Sequence, residues 1–511
     1  MPRRAELVEE LLSDVFGFPG LKPEQVPVVH RVLGIDEDGP EDGGDAMVVM
    51  PTGSGKSLCY QLPALVRARE GENEGRGVTL VFSPLIALME DQVSALRAKG
   101  VRAQYVNSTV GRKERDRRYA ALAEGAYDLI YATPERMEKE AFRDALRMVP
   151  GGVNLLAIDE AHCVSKWGHD LRPAYQRVGE FREQLGSPRT IALTATATKA
   201  VRDDIRSVLG LDETAMPLFA TGIERPNLVM RVEPAWDDAE KIDRIATIAS
   251  ELGGTGIVYF ALIKDLERMM PEIRRAVAAK AGDRVGVGVY HGRLDARQKK
   301  RVYDDFIAAM PDRPLLLCAT NAFGMGVDKP DIRYIVHAQV PGSVEAYYQE
   351  VGRAGRDGDP SACVLLYAQE DLAIQHEFVR WQNPSADLLM AAMAAIARRY
   401  SGDSSGSAGG HGTFDADDIR LDVIGKGHAH GMGGGVVEYA LIGLAKRGAI
   451  EVVGPSESGG NLYRFVRELD DSEIDADEIE AKTKRDLGRL LEVVKMTQAD
   501  SVAGFLEAYF D

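Results

Sequence analysis

The sequence predicts two tandem α/β domains, each built on a parallel sheet, followed by a small helical region that carries a hairpin. Three observations predict it. A short apolar run at residues 48–50 breaks into PTGSGKS, which ends in Lys56 and Ser57. From there, apolar strands alternate with helical stretches as far as Thr198, the pattern of a parallel sheet whose functional loops sit at the carboxyl ends of its strands. A second strand–helix series starts near Gly254 without any such loop, and beyond Asn383 the chain turns helical.

The stretch VVMPTGSGKS at 48–57 reads as a phosphate-binding loop. Gly53 and Gly55 let the backbone curl so that successive N–H groups face one anion. Lys56 adds a cation for the outer phosphates, and Ser57 can offer its hydroxyl to Mg²⁺. A helix starting near Lys56 contributes its positive end. The general pattern has glycine where Met50 stands, so the strict form fails by one position.

At 511 residues the chain is long enough for about three or four domains. No apolar run approaches the roughly 18–20 residues of a membrane span, and MPRRAELVEE has no apolar signal core, so a soluble intracellular protein is expected. Cys59, Cys163, Cys318 and Cys363 lie far apart without a CxxC pair, which excludes a readable disulfide framework or zinc knuckle. The net charge of −17 argues against blanket attachment to nucleic acid but leaves room for a basic groove on an acidic body.

In chain order, residues 5–15 alternate as an amphipathic helix and lead into FGFPGLKPEQ at 16–25, where the Gln25 amide can donate and accept at once, as the paired edge of adenine requires. Residues 35–45 form an acidic, turn-rich loop. Strands are expected within VTLVFSP (78–84), YDLIYATPER (127–136), NLLAIDEAH (154–162) and TIALTATAT (190–198). The third ends in two acids, so Asp159 can hold Mg²⁺ and Glu160 can polarise an attacking water. The second series runs GTGIVYF, VGVYHG, PLLLCATNAFGMGVD and IRYIVHAQVP, then YYQEVGRAGRDG, which spaces Gln349, Arg353 and Arg356. Arginines that reach a γ-phosphate from a neighbouring domain accelerate hydrolysis by about 10³–10⁵-fold in other NTPases.

Together these segments resemble a superfamily 2 helicase, and AHCVSKWGHDLRPAY at 161–175 narrows the resemblance to the RecQ family, which carries an aromatic-rich loop directly after its DEAH box. The resemblance covers residues 11–367. It implies two RecA-like domains, ATP and Mg²⁺ as cofactors, and single-stranded and tailed or branched DNA as partner. It also implies that Lys22 and Gln25 serve adenine, that Thr52, Gly53, Ser54, Gly55, Lys56 and Ser57 hold the phosphates, and that Ser57 and Asp159 hold Mg²⁺. By the same resemblance Asp159 and Glu160 hydrolyse, with Arg353 and Arg356 closing over the γ-phosphate and Gln349 among the catalytic residues. Trp167, His169 and Arg172 would sense single-stranded DNA, through stacking and phosphate contacts. Ser83, Thr133, His291 and Thr320 fall in the segments similar to the family's DNA-facing motifs. Lys22 stands where the family usually has arginine, and Leu171 replaces a second aromatic of the loop.

In the last third, Asn383-Pro384 reads as an N-cap with proline at the first helical position, opening a helix through Tyr400. Residues 401–412 have linker composition. A helix at 416–424, a glycine-rich turn, a helix at 436–447 with Val437, Ala440, Leu441 and Leu444 on one face, and strands AIEVV and LYRFV around GPSESGGN resemble a winged helix. It could serve as a DNA-docking element or as a packing module. A single final helix is expected after the acidic run at 469–481. It resembles the helix that opens the family's zinc-binding subdomain, with Ser501 at the expected first cysteine, so no zinc site is expected. Basic clusters at 112–118 and 297–301 could line a DNA path or be solvated helix faces.

The expected domains are 1–209, 210–370, 371–412, 413–468 and 469–511. The expected function, by resemblance, is an ATP-dependent 3′–5′ DNA helicase of recombination, repair and replication, a monomer, cytoplasmic and nucleoid-associated, with no membrane partner. The alternatives are a DNA-stimulated ATPase that remodels nucleoprotein and unwinds weakly, and a non-catalytic winged-helix DNA-binding protein.

Overall fold

The structure is a computed structural model that describes residues 2–35, 40, 43–70, 76–165, 173–324, 327, 329–400, 412–424, 433–456 and 460–510. The chain divides into two compact units. The first comprises Met1–Gln339, Glu345–Leu366 and Ala499–Asp511, and the second Val340–Val344 and Tyr367–Gln498.

The first unit holds two sheets. One contains β1 (Ala46–Val49), β2 (Val78–Phe82), β3 (Ala103–Val106), β4 (Leu129–Ala132), β5 (Val153–Ile158), β6 (Arg189–Thr194) and β7 (Leu218–Ala220), in the order β3-β4-β2-β5-β6-β1-β7 with every neighbour parallel. Successive residues of each strand enter opposite cores: Val48 packs on one face with Val81, Tyr131 and Leu155, while Met47 and Val49 pack on the other with Leu80, Phe82 and Leu156. A sheet covered on both faces requires apolar residues throughout, which is why these strands read as unbroken apolar runs.

The other sheet contains β8 (Leu228–Pro234), β9 (Thr255–Tyr259), β10 (Gly286–Tyr290), β11 (Leu315–Ala319), β12 (Ile332–His337) and β13 (Ser361–Tyr367), in the order β10-β11-β9-β12-β13-β8. The four pairings from β10 through β13 are parallel. The two α/β sheets expected from the sequence are therefore both present.

In the second unit, β14 (Thr413–Phe414), β15 (Ile450–Pro455) and β16 (Asn461–Phe465) form an antiparallel sheet ordered β14-β16-β15. The helix Gly433–Lys446 buries Val437, Ala440, Leu441 and Leu444 in one core with Phe414, Tyr463, Leu389 and Ile396. That is the face the spacing predicts. The expected linker and the glycine-rich turn fall largely on 401–411 and 425–432, outside the described residues.

Three local expectations are corrected. The first helix is Pro2–Leu11, continued by a wider π turn at Leu12–Phe16 that Gly17 closes at φ +73°. The helix after Asn383 starts at Ala386, and the Ser385 hydroxyl accepts the Leu388 N–H at 3.3 Å. Asn383 instead closes the preceding helix, Asp371–Gln382, donating its amide to the Val379 carbonyl (2.8 Å) and to Asp486 (2.9 Å). The last segment is two helices, Ala476–Thr497 and Val502–Phe510. Ser501 starts the second, its hydroxyl accepting the Gly504 N–H at 3.1 Å. This short helix packs within the first unit, where Phe510 meets Tyr348 (5.4 Å between rings) and the Tyr509 hydroxyl donates to Glu345 (2.9 Å).

Gly256 on β9 faces Tyr334 on β12, and a Cβ there would lie 2.0 Å from the Tyr334 ring. Gly256→Ala is therefore expected to cost about 2–3 kcal/mol of unfolding free energy. Denaturant titration checks this, and the cost should shrink in a Tyr334→Leu background.

Candidate active site

The loop between β1 and the helix Leu58–Glu70 has Gly53 at φ +84° and Gly55 at φ +90°, a region other residues rarely adopt. The Lys56 ammonium donates to the carbonyls of Met50 (2.8 Å) and Pro51 (3.1 Å), so the loop wraps its own lysine. Gln25, buried, donates its amide to the carbonyls of Ser54 (3.4 Å) and Gly55 (3.2 Å) and accepts the Lys22 N–H (3.0 Å). The Lys22 ammonium reaches the Ser54 carbonyl at 3.2 Å. A Cβ on Gly55 would lie 2.6 Å from the Gln25 amide nitrogen, so the glycine is needed for this approach as well as for its φ.

Asp159 follows β5 and is held by its N–H donating to the Phe82 carbonyl (2.8 Å), while its carboxylate accepts the Glu160 N–H (3.1 Å). Glu160 adopts φ +51°, a strained conformation for a residue with a side chain. His162 Nδ1 lies 3.0 Å from the Thr194 hydroxyl and 3.3 Å from Glu160 Oε2. Thr194 in turn donates to the Thr196 carbonyl (3.0 Å), so Nδ1 carries the proton shared with Thr194. The order β5-β6-β1 makes this possible, because the loop after β6 lies between the Asp159 loop and the phosphate loop.

Burial raises the Asp159 carboxyl to about 7, with Glu160 adding to the rise and Lys56 opposing it. Burial lowers Lys56, against the pull of Glu160 and Asp159, and Arg356 lowers it further. Ser57 and Asp159 are hard oxygen donors, the kind that suits Mg²⁺ when phosphates and waters complete the shell. They fit that ion.

The second sheet supplies the arginines. After the helix Val344–Val351, where Gln349 is half-buried, Arg353 is buried and donates to the Gly324 carbonyl, and Arg356 donates to the Val327 carbonyl at 2.9 Å. The Arg356 stem lies 3.4 Å from where a Gly53 Cβ would stand, and a Cβ on Gly352 would lie 4.0 Å from the Thr52 side chain. Arg225 cradles this turn, donating to the carbonyls of Gly352 (3.2 Å), Ala354 (2.8 Å) and Gly355 (3.1 Å), with Asn227 on Gly355 (2.8 Å).

Ser83 and Thr133 follow the neighbouring strands β2 and β4, and the Ser83 N–H donates to the Ala132 carbonyl at 3.1 Å. His291 and Thr320 follow the neighbouring strands β10 and β11; both are buried, and the Thr320 N–H donates to the Tyr290 carbonyl at 3.1 Å. His291 Nε2 lies 3.5 Å from Glu267. Trp167, His169 and Arg172 lie outside the described residues. The basic clusters carry their own acids: Arg117 and Arg118 pair with Glu114 at 2.8 Å, and Lys300 pairs with Asp304 at 3.0 Å.

Sequence reasoning missed His162, Arg225 and Asn227. His162 stood within the DEAH string, but only its contact with Thr194 gives it a part. Arg225 and Asn227 act through backbone carbonyls more than a hundred positions away, which no local pattern reveals.

Paired parallel sheets, with a phosphate loop and a DEAH turn on one and an arginine turn from the other against that loop, define a superfamily 2 helicase. The family comparisons agree. Residues 25–204 match the DEAD/DEAH box helicase family and 239–358 the helicase conserved C-terminal domain. The chain is 39% identical to the probable ATP-dependent DNA helicase RecS of Bacillus subtilis, over 74% of this chain and 71% of that protein. It is 40% identical to the ATP-dependent DNA helicase RecQ of the same organism, over 72% of this chain and 57% of that protein. Its fold is similar to that of the Mycobacterium smegmatis helicase Lhr bound to ssDNA and AMP-PNP, with TM-score 0.54, 20% identity, and 89% and 60% of the two chains covered. The chain belongs to the RecQ family of DNA helicases, and it spans little more than half the length of the RecQ relative. Among the described residues, no helix is long and apolar enough to cross a membrane.

Because the fold favours the neutral Asp159 carboxyl, its ionisation opposes folding. That cost is absent below the ordinary carboxylate range near pH 4, grows to about pH 7 and is constant above. Metal-free Asp159→Asn is therefore expected to be more stable than the parent at pH 8, by about 1–3 kcal/mol once the offsetting Lys56 charge is considered. Denaturation at pH 8 and pH 5.5 should show the gap narrowing at the lower pH.

Proposed function

We propose that this chain hydrolyses ATP to translocate 3′ to 5′ along single-stranded DNA and unwind tailed or branched duplexes, in recombination, repair and replication. The observation that carries this reading is the position of the arginine turn. Arg356 and Gly352, from the second sheet, lie against Gly53 and Thr52 of the phosphate loop, so a nucleotide seated on that loop meets both lobes.

In this mechanism Gln25 and Lys22 serve the adenine end, while the loop N–H groups and Lys56 take the phosphates. Ser57 and Asp159 would hold Mg²⁺, which would supply charge neutralisation for the phosphates. Glu160 orients the attacking water, and His162 stands beside it, turned to Thr194 at the end of β6. Arg353 and Arg356 place positive charge where the γ-phosphate develops negative charge, and Gln349 stands on the helix that precedes them. Hydrolysis removes the anion that draws the arginines to the loop, and the lobes part. Ser83, Thr133, His291 and Thr320, at the carboxyl ends of paired strands in each lobe, present the DNA contacts, and Trp167, His169 and Arg172 report DNA to the DEAH turn. Alternating grip by two lobes then becomes directed stepping. The winged-helix-like region of the second unit serves as a DNA-docking element.

A second reading is a DNA-stimulated ATPase that remodels nucleoprotein and separates strands poorly. Ser501 favours it, because the position resembling the family's first zinc cysteine here caps a helix.

One experiment decides between them. Unwinding of 3′-tailed and 5′-tailed duplexes is measured beside ATP turnover with and without DNA. The expected result is separation of the 3′-tailed substrate alone, lost by at least about 100-fold in Lys56→Ala. Strong DNA-stimulated turnover without separation selects the remodeller, and unwinding that survives Lys56→Ala overturns both.

A further inference from the structure

Behind Ser57 runs a buried polar chain that the proposed mechanism does not use. Gln61 donates its amide to the Tyr131 hydroxyl (3.1 Å), and Tyr131 donates to the Tyr60 hydroxyl (3.4 Å). Tyr60 donates to Gln92 Oε1 (2.7 Å), and the Gln92 amide nitrogen donates to Ser57 Oγ (3.3 Å). Tyr60 and Tyr131 are fully buried, and Gln61 is buried. Gln92 comes from the helix Ile86–Ala98, which follows β2, a strand separated from β1 by β5 and β6 in the sheet.

The chain has one direction. Gln61 can only donate through its amide nitrogen, so each hydroxyl passes its hydrogen onward and the last donor points at Ser57. A serine hydroxyl otherwise rotates, with two lone pairs and one hydrogen to distribute. Accepting from Gln92 takes one lone pair and leaves one for a cation, while the hydroxyl hydrogen has the Tyr60 phenol within hydrogen-bonding reach.

We propose that Gln92 is a positioning residue for the Mg²⁺-bound nucleotide, orienting the Ser57 hydroxyl so that its remaining lone pair faces the cation. The inference rests on the proposed reading of Ser57 as a cation ligand. Outer partners of metal ligands are worth about 10–100-fold in metal affinity. Nothing in the local sequence links the SPLIALMEDQ segment to Ser57; the contact is made by the fold.

The test measures binding of a fluorescent non-hydrolysable ATP analogue to the full chain as Mg²⁺ is titrated from a chelated start. The variants are Gln92→Met, which keeps length without a donor, Gln92→Leu, Ser57→Ala and the Ser57→Ala/Gln92→Met double variant, each checked for a folded thermal transition. Gln92→Met is expected to leave Mg²⁺-free affinity within about twofold and to raise the Mg²⁺ midpoint about tenfold. In the Ser57→Ala background it should add nothing further, since the two act as one unit. A parental midpoint in Gln92→Met, or an effect that persists in full without the Ser57 hydroxyl, overturns the proposal. A parent chain that binds no analogue overturns the reading of the nucleotide site itself, a separate outcome.

Discussion

Lys56 buried beside two carboxylates is the constraint on which the first unit is organised. An ammonium taken out of water is costly unless its hydrogen bonds and charge are met. Here the carbonyls of Met50 and Pro51 meet the hydrogen bonds, and Asp159 with Glu160 meets the charge. That solution needs the ends of β1 and β5 close together, which the order β5-β6-β1 secures, and it needs glycine at 53 and 55 so that the loop can turn its carbonyls inward. Arg356 adds a second cation beside Lys56. Two cations beside two acids, one of which favours its neutral form, leave a site that gains from a polyanion.

The second lobe solves a different problem, which is to fix the direction of its arginines. Arg353 and Arg356 donate to backbone carbonyls, of Gly324 and Val327, and Arg225 and Asn227 bind the carbonyls of the turn itself. A carbonyl orients a guanidinium without neutralising it. In the surface clusters at 112–118 and 297–301, basic side chains face acids one turn away on the same helix.

How much of this was legible follows from where the information lies. Buried parallel strands must be apolar on both faces, so β1, β2, β4, β5 and β6 announce themselves in sequence. Three edge strands do not: β3 is four residues long, β7 is three, and β8 mixes Arg231 and Glu233 into LVMRVEP because much of it faces water. The phosphate loop, the acidic pair and the arginine spacing were legible because each is local. Asn383 misled because an amide beside proline can close one helix as readily as it opens the next, and its bond to Asp486 is non-local. The break before Ser501 was hidden because apolar periodicity continues through it. Gln92, His162 and Arg225 matter through partners distant in the chain, and such information exists only once the chain is folded.

Those non-local contacts fall into two polar chains in the first lobe, and their ends are informative. One runs from His162 through Thr194 to Thr196, beside Glu160; the other runs from Ser57 through Gln92 and Tyr60 to Tyr131 and Gln61. Each starts at or beside a group suited to nucleotide chemistry, and each crosses to a strand end or helix on the side where Ser83 and Thr133 emerge. Tyr131 lies on β4, two residues before Thr133, and Gln92 lies on the helix that follows Ser83. A buried polar chain has few low-energy arrangements, because a hydrogen bond broken at one member leaves an unsatisfied group that costs about 1–3 kcal/mol. Displacing β4 or the helix after β2 therefore cannot leave the Ser57 hydroxyl unaffected. The lobe is built so that the phosphate loop and the strand ends that carry Ser83 and Thr133 share members that must move together.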